Sequence, residues 1–231
     1  MKYQNKNLEY TNAEAYDWRG ESSILESYVL SLWQPFLKKK IANLSDNSIV
    51  VDLGCGTCEY TAAARMAQKI YAVDISEEML GGCRKKMENF KQAEIINVPI
   101  ENFTLSILTD LVIAIGIWEY VNYDKLLMKI KEITHKGSKV VVVFPNIYNN
   151  LNWMRSLAKW KMIAIRPGFI RKLFRNDFIL IDYASFGNVF WFPKRFQFLA
   201  RPIWKLWDLL WKPLQKLLPV GVNVYYLFER K

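Results

Sequence analysis

The chain has 231 residues, of which 52% are hydrophobic and 23% are charged, so it is a globular protein rather than a disordered or collagen-like chain. At this length a folded chain buries roughly 70–75% of the surface that its unfolded form exposes, so the core needs no disulfide or metal. The net charge is +10, and residues 151–231 carry the whole surplus, with 15 basic and 4 acidic side chains. That third also holds six of the nine tryptophans.

The periodicity of apolar residues predicts strands that alternate with helices. Residues 21–41 have helical spacing that Pro35 interrupts, and Ser76 is a plausible N-cap for another helix. Further helical segments are predicted at 58–68 and 124–133. The predicted strands cover residues 49–53, 69–74, 94–97, 110–115, 139–144, 178–183 and 222–228. This alternation is typical of an α/β fold whose open, mostly parallel sheet is Rossmann-like, with helices on both faces.

The cysteines and the N-terminal residues indicate the cellular compartment and the redox state expected for the chain. The N-terminus has no apolar signal segment, which predicts a cytoplasmic protein with reduced thiols at Cys55, Cys58 and Cys83. Cys55 and Cys58 have the spacing of a redox pair but lack its usual context. With His135 as the one histidine, no structural zinc site is expected. No apolar stretch reaches the roughly 18–20 residues that span a bilayer.

The segment VDLGCGT at residues 51–57 is the most informative. Gly54 and Gly56 allow the backbone to turn sharply and to approach a ligand at the carboxyl end of a strand, beside the N–H donors of the expected helix. Asp74 ends the next strand, where its carboxylate could accept both hydroxyls of a ribose. A dinucleotide fingerprint would require a third glycine where this chain has Glu59, which disfavours hydride transfer. The pattern predicts a nucleotide-like ligand.

Three motifs together carry a family resemblance. DLGCGT, then AVDIS followed by EEML, then GIWEYV resemble the class I S-adenosylmethionine-dependent methyltransferases over about residues 45–145. The resemblance implies S-adenosylmethionine as the cofactor. It also implies that Gly54, Cys55 and Gly56 line the methionine part, that Asp52 is oriented towards its ammonium group, and that Asp74 holds the ribose.

The resemblance also implies residues for the adenine end of the cofactor. Ile75 and Met79 would flank the adenine, and Asn97 with Val98 would lie at its amino group, where many relatives have an aspartate. Tyr16 belongs to an N-terminal segment similar to the one that closes over the cofactor in this family.

The loop after the fourth strand is implied to pass the reacting methyl group. Gly116 and Ile117 would lie beside the sulfonium. Many relatives have a histidine in this loop where the chain has Tyr120. Since a sulfonium methyl is already a strong electrophile, alignment supplies most of the catalysis. No catalytic residue is assigned, and Glu119, Tyr120 and Asp124 are candidate general bases.

The boundaries expected from these patterns describe a single methyltransferase domain over residues 1–231. Its parts are an N-terminal helical cap at 1–44, a cofactor-binding core at 45–146, and two insertions, at 147–175 and 188–219, that form a lid, a substrate surface or a membrane-facing surface.

The second insertion contains a predicted amphipathic helix. Residues 190–218 place apolar side chains on one broad face, namely Ile203, Trp204, Leu206, Trp207, Leu210, Trp211 and Leu214. With Lys205 and Lys212 at its margins, such a helix can lie at a membrane interface as a peripheral membrane contact. The alternatives are a lid over the pocket, a contact with another subunit, or nucleic-acid binding.

Two functions follow for the chain. The first is an enzyme that methylates an amphiphilic small molecule or a lipid-linked acceptor, in the cytoplasm or at the membrane surface. The alternative is an RNA or protein methyltransferase that docks through its basic C-terminal third. A cofactor-binding scaffold without turnover fits the intact glycine loop less well.

Overall fold

The computed structural model describes residues 24–149, 152, 164–190, 196–213 and 219–231. The strands of these residues are β1 Ile49–Leu53, β2 Lys69–Asp74, β3 Ala93–Asn97, β4 Thr109–Ile115, β5 Thr134–Pro145, β6 Phe178–Phe186 and β7 Asn223–Arg230. The α-helices are α1 Ile24–Leu44, α2 Glu77–Lys86, α3 Tyr123–Ile133, α4 Pro167–Phe174 and α5 Gln197–Trp211.

All seven strands form one sheet in the order β3-β2-β1-β4-β5-β7-β6. Strands β1 to β5 are parallel, and β7 lies antiparallel between β5 and β6. Pro145 pairs with Asn223, and Asn223 pairs with Phe186, so β6 ends and β7 begins where the parallel strands end. We call this end of the sheet the carboxyl edge. The expected open, mostly parallel sheet is confirmed.

Helices cover both faces of the sheet. One core cluster joins the sheet to α1, α2 and α5 through residues such as Leu37, Leu80 and Trp204. The other joins it to α3 and α4 through residues such as Ile130 and Phe174. Each helix buries an apolar side against strands whose buried, β-branched residues face both layers, as parallel sheets require.

Two predictions about helices are wrong. α1 continues through Pro35, which is exposed, because the buried side of the helix, including Trp33 and Leu37, remains packed on the sheet despite one missing backbone hydrogen bond. Residues 58–68 contain only a 3-10 turn, Thr61–Ala63. The positive φ of Cys58, +62°, breaks the helical path before that turn.

Other boundaries differ by a few residues from the sequence prediction. β5 begins at Thr134, five residues earlier than expected, and a short helix, α4, forms in the first insertion. The N-cap role predicted for Ser76 is confirmed, since its hydroxyl accepts a hydrogen bond from the amide of Met79 at 3.3 Å. Within the described ranges, no helix combines the length and apolar character needed to cross a membrane.

Candidate functional site

The glycine loop lies at the carboxyl edge between β1 and the 3-10 turn. Gly54 and Gly56 have φ values of +74° and +54°, which favour glycine. The amides of Gly54 and Cys55 both donate to the carbonyl of Val73, at 2.8 and 3.0 Å, and so fasten the loop to β2. A Cβ on Gly54 would lie 2.0 Å from Cγ2 of Ile117, whereas one on Gly56 would meet only the terminal methyl of Met79, at 3.3 Å. The loop therefore has no room for a side chain at Gly54.

Asp74 is held against this loop by the backbone. Its Oδ2 accepts a hydrogen bond from the amide of Gly56 at 2.9 Å, and its Oδ1 accepts one from the amide of Ser76 at 2.9 Å. Each carboxylate oxygen can accept a further hydrogen bond. The half-buried carboxylate is thus fixed in place with acceptor capacity for two hydroxyl groups.

Asp52 lies behind the loop and is only 4% exposed. The hydroxyl of Thr61 donates to its Oδ2 at 2.5 Å. Burial raises the pKa of Asp52 to about 7, although the Thr61 hydrogen bond acts in the opposite direction, and the charge of Asp74 adds to the rise. A buried carboxylate of this kind is stabilised by a cationic ligand group.

The residues expected at the adenine end cluster near the end of β2. Ile75 is 47% exposed, whereas Met79 is 4% exposed beneath the loop. The side-chain amide of Asn97 donates to the carbonyls of Asp74 and Ile75, at 3.1 and 3.0 Å. Because these bonds use the NH2 group of Asn97, its amide oxygen can accept a hydrogen bond from a ligand. Val98, the next residue, is half-buried.

The loop after β4 forms the opposite wall. Gly116 has a φ of +68° and open space where a Cβ would lie, and its amide donates to the carbonyl of Val143 at 3.1 Å. Ile117 is 7% exposed and packs on Gly54. The structure therefore brings the β4 loop and the glycine loop into direct contact.

The proposed base residues follow in the same region. Glu119 and Tyr120 lie in the turn between β4 and α3, and Asp124 is exposed in the first turn of α3. Tyr120 is 44% exposed. Tyr16, the remaining cofactor residue expected from the sequence, lies outside the described residues.

His135 lies at the opposite end of the sheet. Its Nε2 is 3.0 Å from Oδ1 of Asp110, near the start of β4, and its Nδ1 is 2.8 Å from the carbonyl oxygen of Lys136. These two contacts raise the pKa of His135. As the chain's one histidine, it is too far along the sheet to act at the carboxyl edge.

The cysteines differ from the sequence prediction. Cys58 and Cys83 form a disulfide, and Cys55 is the free cysteine, so the expectation of three reduced thiols is wrong. The reason is packing, because α2 buries Cys83 against the loop that carries Cys58. Burial raises the pKa of the Cys55 thiol well above its usual value.

Glu59 joins three elements beside the loop. It accepts hydrogen bonds from Lys38 of α1 and from Lys86 of α2, the latter at 2.7 Å. Although burial acts to raise the pKa of Glu59, these hydrogen bonds hold it below its usual value. The residue that replaces the third glycine of a dinucleotide fingerprint is therefore an ion-pair centre.

Three buried asparagines at the carboxyl edge were not predicted from the sequence. The side chain of Asn146 donates to the carbonyls of Pro219 and Gly221, and that of Asn149 donates to the carbonyl of Val220 at 2.9 Å. Asn152 donates to the carbonyls of Asn146 and Val222, at 2.9 and 2.8 Å. The spacing of three asparagines by three residues was the available signal. They fasten the loop after β5 to the segment before β7.

Helix α5 also lies at this edge, because it joins the end of β6 to the start of β7. Trp204 is 2% exposed and contacts the ring of Tyr28 of α1 in a tilted arrangement with 5.6 Å between ring centroids. Its Nε1 donates to the carbonyl of Phe190 at 3.1 Å. Asp208 accepts hydrogen bonds from the hydroxyl of Tyr28 and the amide of Asn188, at 3.0 and 2.8 Å. The prediction of one broad apolar face is wrong at Trp204, because these contacts bury Trp204 whereas Leu206 and Leu210 are 60% and 63% exposed.

A family model described as a methyltransferase domain matches residues 44–167. An uncharacterized protein of Methanocaldococcus jannaschii is 30% identical over 184 residues, which are 78% of this chain and 75% of that protein. A demethylmenaquinone methyltransferase of Bacillus mycoides is 29% identical over 142 residues, which cover 57% of this chain and 54% of that protein.

A solved structure extends this similarity to the fold. The magnesium protoporphyrin IX methyltransferase of Synechocystis PCC 6803, with bound S-adenosylhomocysteine, superposes with a TM-score of 0.65 at 14% identity. The superposition covers 96% of this chain and 97% of that one. At this identity the likeness concerns the arrangement of strands and helices.

Proposed function

Because this chain belongs to the class I S-adenosylmethionine-dependent methyltransferases, we propose that it transfers the methyl group to an amphiphilic small molecule or a lipid-linked acceptor. The main support for cofactor binding is the position of Asp74, whose carboxylate is fixed by the amides of Gly56 and Ser76 beside the glycine loop. The proposed acceptor class rests on the exposed apolar and basic side chains of α5, which lies at the same edge.

The residues of the glycine loop fit the cofactor. Asp74 holds the two ribose hydroxyls on the remaining acceptor positions of its carboxylate. Asp52 faces the ammonium group, whose positive charge offsets the cost of keeping this buried carboxylate ionised. Gly54, Cys55 and Gly56 line the methionine part without a bulky side chain in its way.

The adenine end is held by residues that follow β2 and β3. Ile75 covers one side of the ring with a side chain that is 47% exposed in the structure, and Met79 supports the loop from beneath. Asn97 accepts a hydrogen bond from the adenine amino group through its amide oxygen, and Val98 packs beside it.

Methyl transfer then depends on alignment of the acceptor across the β4 loop. S-adenosylmethionine supplies an electrophilic methyl group when it is bound. Gly116 leaves space for the acceptor to approach, and Ile117 packs against Gly54 of the glycine loop. Since the chain's histidine lies at the other end of the sheet, a general base, where the acceptor needs one, comes from Glu119, Tyr120 or Asp124.

The surroundings of this edge favour an amphiphilic acceptor. Tyr120 and Tyr148, which follow β4 and β5, are 44% and 56% exposed, and α5 exposes further apolar side chains. The exposed basic side chains of α5, Arg201 and Lys205, add an attraction for acidic head groups. Such a mixture suits a molecule with an apolar body and a polar or acidic end.

A label-transfer experiment tests the proposal. The protein is incubated with S-adenosylmethionine that carries a radioactive methyl group, together with a bacterial lipid extract, total RNA or a protein extract in separate reactions. We expect label in the lipid extract, its loss in Asp74→Ala, and its retention in Asp46→Ala, which removes an exposed acid from the turn before β1. Label that enters RNA or protein, with none in lipid, contradicts the proposed acceptor class.

A further inference from the structure

A continuous apolar strip runs along α5 on the side opposite the buried Trp204. Successive helical residues are turned by about 100°, which places one set of side chains within a narrow arc facing away from the protein. This set, which we call the outer strip, consists of Phe198, Leu199, Pro202, Leu206, Leu209 and Leu210. Its large side chains are 41–74% exposed. An apolar strip of this size on the surface of a protein marks a contact with an apolar partner.

Positive charge borders the outer strip along one side. The same helical geometry places Arg201, Lys205 and Lys212 together on that border, and all three are exposed. The one acidic residue of residues 196–213, Asp208, is turned towards the protein and accepts hydrogen bonds from Tyr28 and Asn188. The side of α5 that faces outward therefore combines apolar and cationic groups with no acidic side chain.

We propose that α5 docks this protein on the surface of a bilayer that contains anionic lipid. The outer strip enters the boundary between head groups and acyl chains, while the three basic side chains reach the lipid phosphates. A second copy of the chain fits less well, because each copy carries a net charge of +10 and would present the same basic border. RNA fits less well, because the leucines that dominate the strip offer no ring for a base to stack on.

The anchorage of α5 supports this role. Tyr28 of α1 holds Trp204 by a tilted ring contact and Asp208 by a hydrogen bond, and Arg201 donates to the hydroxyl of Ser27 at 2.8 Å. α5 is therefore fastened by one side, so that its outer strip is presented on a firm support. Because α5 lies at the carboxyl edge, docking turns the methyl-transfer site towards the lipid. The idea that the methyl acceptor reaches the site from the bilayer rests on the proposed function. The docking of α5 on the bilayer does not depend on that function.

Vesicle sedimentation tests the proposal without cofactor or acceptor. The full chain is mixed with vesicles of phosphatidylcholine alone or of phosphatidylcholine and phosphatidylglycerol at about 7:3. We expect binding to the anionic vesicles that weakens only partly when salt is raised, because burial of the outer strip is not screened. Leu206→Glu/Leu209→Glu is expected to bind at least about 30-fold more weakly.

A matched control separates the outer strip from the change in charge. Met66→Glu/Met128→Glu adds the same two negative charges at side chains that are 69% and 65% exposed but lie on other elements. It is expected to bind anionic vesicles within about threefold of the unchanged protein. Calorimetric titration with S-adenosylhomocysteine checks that both variants keep an intact cofactor site.

Three outcomes overturn the proposal. One is that the unchanged protein does not sediment with anionic vesicles at low salt. Another is that both double variants lose binding equally. The third is binding to single-stranded RNA, but not to vesicles, that disappears steeply with salt. Because this experiment measures no methyl transfer, its result is independent of the label-transfer experiment. Either proposal can therefore be refuted while the other is supported.

Discussion

The glycine loop and the region around α5 lie at the same edge of the sheet but are fixed in different ways. The loop is fixed by backbone: φ at Gly54 and Gly56 is positive, and Asp74 is held by two amides. The region around α5 is fixed by side chains from distant parts of the chain, such as Asn146 and Tyr28. A loop that requires particular backbone angles is recognisable from a short sequence motif. Contacts between side chains that are distant in the sequence produce no such motif.

The largest effect is expected from Gly54, which tests the backbone side of this comparison. Gly54→Ala forces a Cβ into Ile117 at a positive φ and is expected to lower the free energy of unfolding by about 3 kcal/mol or more. Gly56→Ala meets only the flexible end of Met79, so about 1 kcal/mol is expected. Urea unfolding measures both. Equal losses in the two variants would contradict a loop that is packed more tightly at Gly54.

The disulfide beside the loop gives the next largest effect. Cys58→Ser/Cys83→Ser removes the cross-link between two residues that are 25 positions apart in the sequence. The double variant is expected to lower the free energy of unfolding by about 3 kcal/mol. Cys55→Ser leaves the bond intact and serves as the control, with a cost below about 1 kcal/mol. Thiol titration of the unfolded, unreduced protein should find one free thiol. Three free thiols would refute the pairing.

Asn146 probes the side-chain fastening of the α5 region. Asn146→Ala removes the hydrogen bonds to Pro219 and Gly221 from a buried position and is expected to lower the unfolding free energy by about 2 kcal/mol. Affinity for S-adenosylhomocysteine should change less than about twofold, because the glycine loop is held separately. Asn89→Ala, at an exposed site, is the control. A large loss of cofactor affinity would show that the two regions are coupled.

The affinity for the cofactor is also expected to depend on pH. The ionised form of Asp52 binds the ammonium group, so protonation competes with binding as the pH falls through the pKa of about 7. Affinity should drop about tenfold per pH unit between pH 7 and pH 5.

Thr61 provides the check on this assignment. Its hydroxyl lowers the pKa of Asp52, so Thr61→Val should move the pH profile to higher pH. An affinity that does not vary between pH 5 and pH 7, in both proteins, would contradict the role given to Asp52.

The sequence predicted strand β1, the glycine turn at Gly54 and Gly56, and the position of Asp74 at the end of β2, because these features follow one another locally. It failed at residues 58–68, where alanine-rich composition favours a helix but Cys58 is bonded to Cys83 and the Thr61 hydroxyl to Asp52. It also grouped Trp204 with Leu206 and Leu210 on one face of α5, since helical periodicity alone does not show which side meets α1.

The central claim is that Asp74 and the glycine loop hold S-adenosylmethionine, and calorimetric titration with S-adenosylhomocysteine tests it most directly. The account predicts micromolar affinity for the unchanged protein, a loss of about 10- to 100-fold in Asp74→Ala, and no change in Asp46→Ala. Unchanged affinity in Asp74→Ala, or tighter binding of a nicotinamide dinucleotide by the unchanged protein, would contradict it.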